Sequence, residues 1–358
     1  MNDSEVLTLL TVLRQELHVH PELPEHESQT IAILKAFLRA HTTLELRDVG
    51  GGFYAAHREE EAALPPLALR ADFDAVPQPD GTAKHLCGHD GHSAALCGVA
   101  LALEGKRLNR NVFLLFQPAE ETGTGAPGCC ALFDREAVSA IYGCHNIPGY
   151  PLGKVLVRRG TFACGSLGLT LTFRGTSAHA AYPEQGINPA PALAALLHAL
   201  PTLSAPERYA GMVLCTVIGA RIGEKAFGSA ASHGELWLTL RGERNADLQA
   251  LRSAILEEAA RLARAQRLAF SHDEQEVFPA TENDDAHADR VRDRCDALVL
   301  PEPMRWSEDF GHYLLRKPGA FFGIGSGEDR PGLHTQAYEY PDALLLPTRD
   351  AFLKLLAE

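Results

Sequence analysis

No apolar run in this chain reaches the roughly 18 residues that a membrane-spanning helix needs, so a membrane protein is not expected. Basic charge is also scarce: 33 Lys and Arg stand against 46 Asp and Glu, for a formal net charge of −13. Phosphate backbones are bound by basic faces, so nucleic acid is excluded as an expected partner. The opening MNDSEVLTLL has no basic segment before an apolar one. No secretion signal is read, and the cytoplasm is the expected address. The eight cysteines, at 87, 97, 129, 130, 144, 164, 215 and 295, follow no regular framework. They are expected to be reduced and mostly small core residues. There is no internal repeat, and no low-complexity segment beyond Glu59-Glu60-Glu61.

What is present is enough for two domains: 358 residues, 46% hydrophobic and 22% charged, an ordinary soluble composition. Ser4 can cap a first helix whose apolar face carries Val6, Leu9, Leu10, Leu13 and Leu17, and Ser28 can start a second. Between them, His18 and His20 precede a helix-stopping proline and suit a helix end. Short buried strands are expected at 53–57, 67–71, 111–116, 139–143 and 320–324. Helices are expected at 93–105, 127–133, 286–298 and 347–357. That alternation predicts an α/β, doubly wound domain with polar groups at the strand exits. From 166 to 275 the pattern changes to strand 167–173, helix 190–203, strands 212–218 and 235–241, helix 246–265 and strand 267–277. This β-α-β-β-α-β order predicts a ferredoxin-like α+β domain inserted into the first. The expected division is therefore 1–165 with 276–358, and 166–275.

The most concentrated chemistry is Leu86-Cys87-Gly88-His89-Asp90-Gly91-His92. A thiol two residues from an imidazole suits either a metal site or a reactive thiol. Partners stand at other strand exits: Asp72 after 67–71, Glu120 and Glu121 after 111–116, His145 after 139–143, and His334 late in the chain. Cys87, His89, Glu121, His145 and His334 are too many ligands for one tetrahedral ion with an open position. Shared between two ions about 3.5–4 Å apart, with Cys87 as the bridge, they leave room for water. Adjacent residues leaving a strand point in different directions, so one glutamate of the pair can bind metal while the other faces the water, where a carboxylate serves as general base. Asp72 equally suits a helix cap or turn.

Read in order, LRADFDAVP (69–77), LCGHDGH (86–92), FQPAEE (116–121), CHNIP (144–148), GTSAHAAYP (175–183), SEDF (307–310) and GLHT (332–335) resemble one family. It is the metallo-carboxypeptidase/aminoacylase family, in its branch of bacterial aminoacylases, hippurate hydrolases and plant auxin-conjugate hydrolases. The resemblance implies a metallopeptidase-type catalytic domain carrying two divalent metal ions, Zn or Mn. Cys87 would bridge them, with His89 and His145 on one and Glu121 and His334 on the other. Glu120 would deprotonate the bridging water and pass the proton to the leaving amine. Asp72 and Asp90 would orient imidazoles from behind. His179 would stabilise the tetrahedral oxyanion, often from the partner subunit in relatives, so a homodimer through the inserted lid domain is implied. The reaction implied is hydrolysis of an N-acyl amino acid or dipeptide to a carboxylic acid and a free amino acid. Arg221, Arg241 and Arg305 are donors of the right type for the substrate's carboxylate.

One stretch departs from the family. Relatives usually carry Asn-x-Ile-Pro-Asp in the lid, where this chain reads Gly228-Ser-Ala-Ala-Ser232, so the relatives' acyl-group preference does not transfer. Two other functions compete. A silent metal-bound binding protein would have no use for Glu120. A cysteine hydrolase with Cys87 as nucleophile and His89 as base would leave the remaining ligands idle.

Overall fold

The computed structural model describes residues 1–357. The chain divides into two compact units. The first comprises Met1–Phe162, Thr281–Pro303 and the chain from Glu308 on, and the second Ala163–Ala280 with Met304–Ser307.

The first unit is an α/β sheet of eight strands. Its order is Glu45–Val49, Gly52–His57, Val112–Gln117, Leu67–Asp72, Ala140–Pro148, Gly319–Gly327, Val155–Val157, Leu298–Val299. Leu67–Asp72 runs parallel to both neighbours, and Gly319–Gly327 parallel to Ala140–Pro148. The central strands are apolar on both faces, as a covered parallel sheet requires. Leu69, Ala71, Leu114, Phe116, Tyr142 and Phe322 share a core with Leu10, Leu34, Leu96 and Phe352 of the helices. On the alternate positions, Phe321 packs against Phe310, and Phe310 against Tyr313.

Several boundaries differ from expectation for local reasons. The first helix is Asp3–His18, and its cap is Asn2 rather than Ser4. Asn2 and Glu5 form a reciprocal capping box that satisfies two orphan donors. The helix expected at 127–133 is two pieces, Gly125–Cys129 and Leu132–Arg135, linked by tighter i→i−3 bonds such as Phe133 N–H to Cys130. The polar edge strand Glu45–Val49 has no apolar run to announce it and pairs with one neighbour alone. The largest shift is functional: the helix expected from Ser93 begins at His89 and runs to Leu103. Gly88 precedes it at φ +99°, a backbone conformation open to glycine. Ser93 bonds back to the His89 carbonyl instead of capping. The donor motif is thus the first turn of a buried helix.

The second unit is a four-stranded antiparallel sheet, ordered Val213–Ile222, His233–Gly242, Gly165–Arg174, Ala269–Phe278. Helices Ala190–Leu203 and Asn245–Ala265 share its core: Leu193, Leu196, Leu251 and Ile255 pack with Leu167, Leu169, Leu171, Leu236 and Leu238. Strand Gly165–Arg174 alternates buried and half-exposed side chains along most of its length, the period of two its sequence carries.

Candidate metal centre

The parallel strands end side by side, which gathers residues far apart in sequence. Cys87 Sγ lies 3.3 Å from His145 Nε2 and 3.3 Å from His334 Nε2. His334 Nε2 is 3.5 Å from Glu121 Oε1, and His89 Nε2 is 3.8 Å from the same oxygen. The donors fall into groups lying within 4.8 Å: Cys87, His89 and His145; Cys87, Glu121 and His334; His89, Glu120 and Glu121. The structure therefore brings all five expected ligands and Glu120 together, with Cys87 common to the first two groups.

The tautomers are set from behind. His145 Nδ1 donates to the Asn146 carbonyl at 2.8 Å, leaving the Nε2 lone pair toward Cys87. His89 Nδ1 donates to Asp74 Oδ1 at 3.0 Å, and its buried Nε2 has no hydrogen-bond partner. Glu121 Oε1 is likewise buried without one. Orphaned buried acceptors are costly, and here they converge on one spot. His334 stands at φ +64°, uncommon for any residue but glycine, held by its N–H to the Leu86 carbonyl. Gly91 is required by close packing, since a Cβ there would lie 2.4 Å from the Tyr340 ring.

Electrostatics favour a cation at this spot. Burial, then Glu308, Asp309 and Glu121, push the Glu120 carboxyl well above its usual range. Burial, with Asp74 adding to it, brings Glu121 to about 7, and burial raises the Cys87 thiol. These are groups that bind metal as anions and release protons when they do. The donor set fits divalent ions.

Asp72 and Asp90 both engage imidazoles, but not those of the five-ligand set. Asp72 Oδ1 bonds His92 Nδ1 at 2.6 Å, while its other oxygen pairs with Arg70 and sits 3.9 Å from His89 Nε2. Asp90 bonds His18 Nδ1 at 2.8 Å and Arg14 at 3.2 Å. The carboxylate that does orient His89 is Asp74, whose second oxygen also takes the Glu121 N–H at 3.0 Å. Sequence reasoning missed Asp74 although it lies two residues past Asp72, the same-face spacing on an extended chain. It also missed Arg70, whose fully buried guanidinium joins Asp72, Glu308, Asp309 and Gln117. The Asp309 N–H in turn reaches Glu120 Oε1 at 3.4 Å.

His179 lies in the second unit and is exposed. Its Nδ1 accepts the Ala181 N–H at 3.1 Å, which puts the ring proton of the neutral form on Nε2. The departing stretch is its backbone partner: Ala180 N–H bonds the Gly228 carbonyl and Ala230 N–H the Ala178 carbonyl. Arg221, Arg241 and Arg305 also belong to this unit. Arg221 pairs with Glu224, and Arg241 bonds the Arg305 carbonyl and Ser307 Oγ.

Clustered donors around a shared thiol, with the Glu120 carboxylate beside them, define a metal-dependent hydrolase. A model of Peptidase family M20/M25/M40 matches residues 68–358, and the chain belongs to that family of amide-bond hydrolases. It is 28% identical over 353 residues to an N-acetyl-L-cysteine deacetylase of Bacillus subtilis, covering 93% of this chain and 84% of the relative. An N-acetylcysteine deacetylase of the same organism is also 28% identical, over 91% of this chain and 90% of its own length. Among solved structures, a putative aminohydrolase from methicillin-resistant Staphylococcus aureus superposes with a TM-score of 0.88 at 23% identity, covering 98% and 97% of the two chains. A dinuclear metal-binding M20 peptidase of Bacillus subtilis gives 0.82 at 24% identity, covering 99% and 98%.

Burial alone would raise the Asp90 carboxyl, but His85, His18 and Arg14 hold it at about 2, below its ordinary 3.8. A carboxyl depressed by folding stabilises fully above about pH 4, and that stability is lost as pH falls through 2. Asp90→Asn is expected to cost about 2 kcal/mol at pH 7 and almost nothing at pH 2, measured by denaturant unfolding across that range.

Proposed function

We propose that this protein is an aminoacylase-like amidohydrolase that cleaves N-acyl amino acids to a carboxylic acid and a free amino acid. The observation that carries the reading is Cys87 Sγ at 3.3 Å from both His145 and His334, with Glu120 beside the set. Cys87 would be shared by two divalent ions, Zn or Mn, with His89 and His145 on one and Glu121 and His334 on the other. When bound, such ions polarise the scissile carbonyl and lower the pKa of water.

This chain's own groups do the rest. Glu120 takes a proton from the attacking water on a carboxylate oxygen and delivers it to the leaving amine nitrogen. His179, with its proton on Nε2, donates to the oxygen that becomes negative as the carbonyl is attacked. A well-placed donor there lowers the barrier by about 3–4 kcal/mol. Arg70, through Asp72 and Asp309, would keep the surrounding carboxylates in place. Relatives named for N-acetylcysteine support an N-acyl amino acid as substrate. A dipeptide fits the same machinery, and the Gly228–Ser232 departure leaves the acyl preference to a substrate screen.

A homodimer through the second unit accompanies this reading. It is supported by strand Val213–Ile222, an edge strand that exposes Leu214, Val217, Ile218 and Ile222.

Chelation is expected to abolish hydrolysis of N-acetyl, N-benzoyl or dipeptide substrates, and Mn²⁺ or Zn²⁺ to restore it. Turnover that survives complete metal removal but is lost on thiol alkylation would replace this reading with Cys87 as nucleophile. Glu120→Gln is expected to bind two metal equivalents and lose about 10²–10⁴-fold in kcat; unchanged turnover would remove Glu120 as the base. Sedimentation should report a dimer that Ile218→Lys converts to monomer, and a monomeric parent would refute the assembly.

A further inference from the structure

One buried carboxylate grips the Glu120 loop without belonging to the donor set. Glu27 is 4% exposed, and its Oε1 accepts the Ala119 N–H at 2.8 Å. Ala119 stands at φ +50°, the left-handed region that a residue with a Cβ seldom enters. Its carbonyl is held from the other side, by the N–H groups of Thr124 at 3.3 Å and Gly125 at 3.1 Å. Glu120 and Glu121 leave the chain directly after this pinned residue.

Glu27 is not occupied elsewhere as a helix cap. It precedes helix Ser28–His41 but makes no capping bond with its side chain. The free amides of Gln29 and Thr30 are taken by Glu22, at 3.0 and 2.6 Å. The same segment also holds the far end of the turn, where Thr124 Oγ1 donates to Glu25 Oε1 at 2.9 Å.

We infer that Glu27 is a positioning residue for Glu120: it keeps Ala119 in the left-handed conformation, and that conformation aims the carboxylate. The inference rests on Glu120 acting as general base. Without the acceptor, Ala119 loses the partner of a buried N–H and relaxes to negative φ, carrying Glu120 with it. A displacement of about an ångström in a reacting group is enough to cost up to 10²-fold in rate.

The test uses the full-length, metal-reconstituted protein, with hydrogen–deuterium exchange of residues 118–125 followed both with and without metal. Glu27→Ala is expected to lower kcat about 10–100-fold, to leave KM within about threefold and bound metal unchanged, and to raise exchange in that loop. Glu27→Gln keeps an acceptor oxygen and should stay within about threefold of the parent in kcat, with parental exchange. Adding Ala119→Gly to Glu27→Ala should recover at least about threefold in kcat, because glycine enters the left-handed region freely. Glu27→Met fills the same volume without an acceptor and is read identically if the alanine variant does not fold. The inference is overturned if kcat and loop exchange are both parental without the acceptor. It is equally overturned if Gln is as harmful as Ala and Ala119→Gly restores nothing, since loss of packing alone would behave that way. If Glu120→Gln keeps its turnover while the exchange response to Glu27 persists, the general-base reading fails and the clamp stands.

Discussion

A guanidinium with no water around it must be matched by fixed negative charge, because one left unpaired inside a protein costs several kcal/mol. Arg70 is such a group: its side chain is fully buried and reaches Asp72 at 2.6 Å, Asp309 at 2.8 Å and Glu308 at 3.0 Å. Its Nε–H bonds Gln117, which also donates to Asp309 and accepts from Tyr313. Those partners come from two adjacent strand ends and from the 308–313 segment. The charge match therefore works only when the strands are in register and that segment is docked. Glu120 meets this network at the Asp309 amide and the histidine cluster meets it at Asp72. Once Arg70 is satisfied, the neighbourhood of the donor set is largely determined.

Asp74 makes a comparable link on the other side, holding the His89 ring and the Glu121 amide with one carboxylate. Backbone strain gathers in the same place. Ala119 and His334 both have positive φ, and Gly88 opens the donor helix in the left-handed region. Such conformations persist only where surrounding contacts over-determine them. The acidic groups around the set add a further constraint, since burial and repulsion from neighbouring carboxylates raise Glu120, Glu121 and Glu308. A site in that state releases protons as cations enter, so metal binding and stability are coupled.

The five central strands of the sheet were legible because they are continuous apolar runs, and the α/β fold class followed from their alternation with helices; the short strands Val155–Val157 and Leu298–Val299 were not. The donor residues were legible because they sit in short polar motifs between or at the ends of apolar runs, and the order of those motifs resembles one family. Asp74 was not singled out because nothing in its local sequence separates it from Asp72. The two differ in what each meets across the fold: Asp72 meets His92 and Arg70, Asp74 meets His89 and the Glu121 amide. Asp90 sits between two ligand-type histidines in sequence, yet the first turn of the helix points it away, to His18 and Arg14. The helix start was misjudged because Ser93 is a good capping type, whereas the real signal was Gly88 with its positive φ. Glu45–Val49 gave no signal, since a half-solvated edge strand has no need of an apolar pattern.

By itself, then, the sequence determined the chemistry on offer: a thiol, three imidazoles and paired glutamates at the ends of buried strands, in an acidic protein with no apolar run of membrane-spanning length. The tertiary structure alone decided which of those atoms meet. Cys87 reaches His145 across 58 residues and His334 across 247. At those separations, distance is set by sheet register, by helix docking and by the charges that must be matched in the interior, none of which is a local property of the chain.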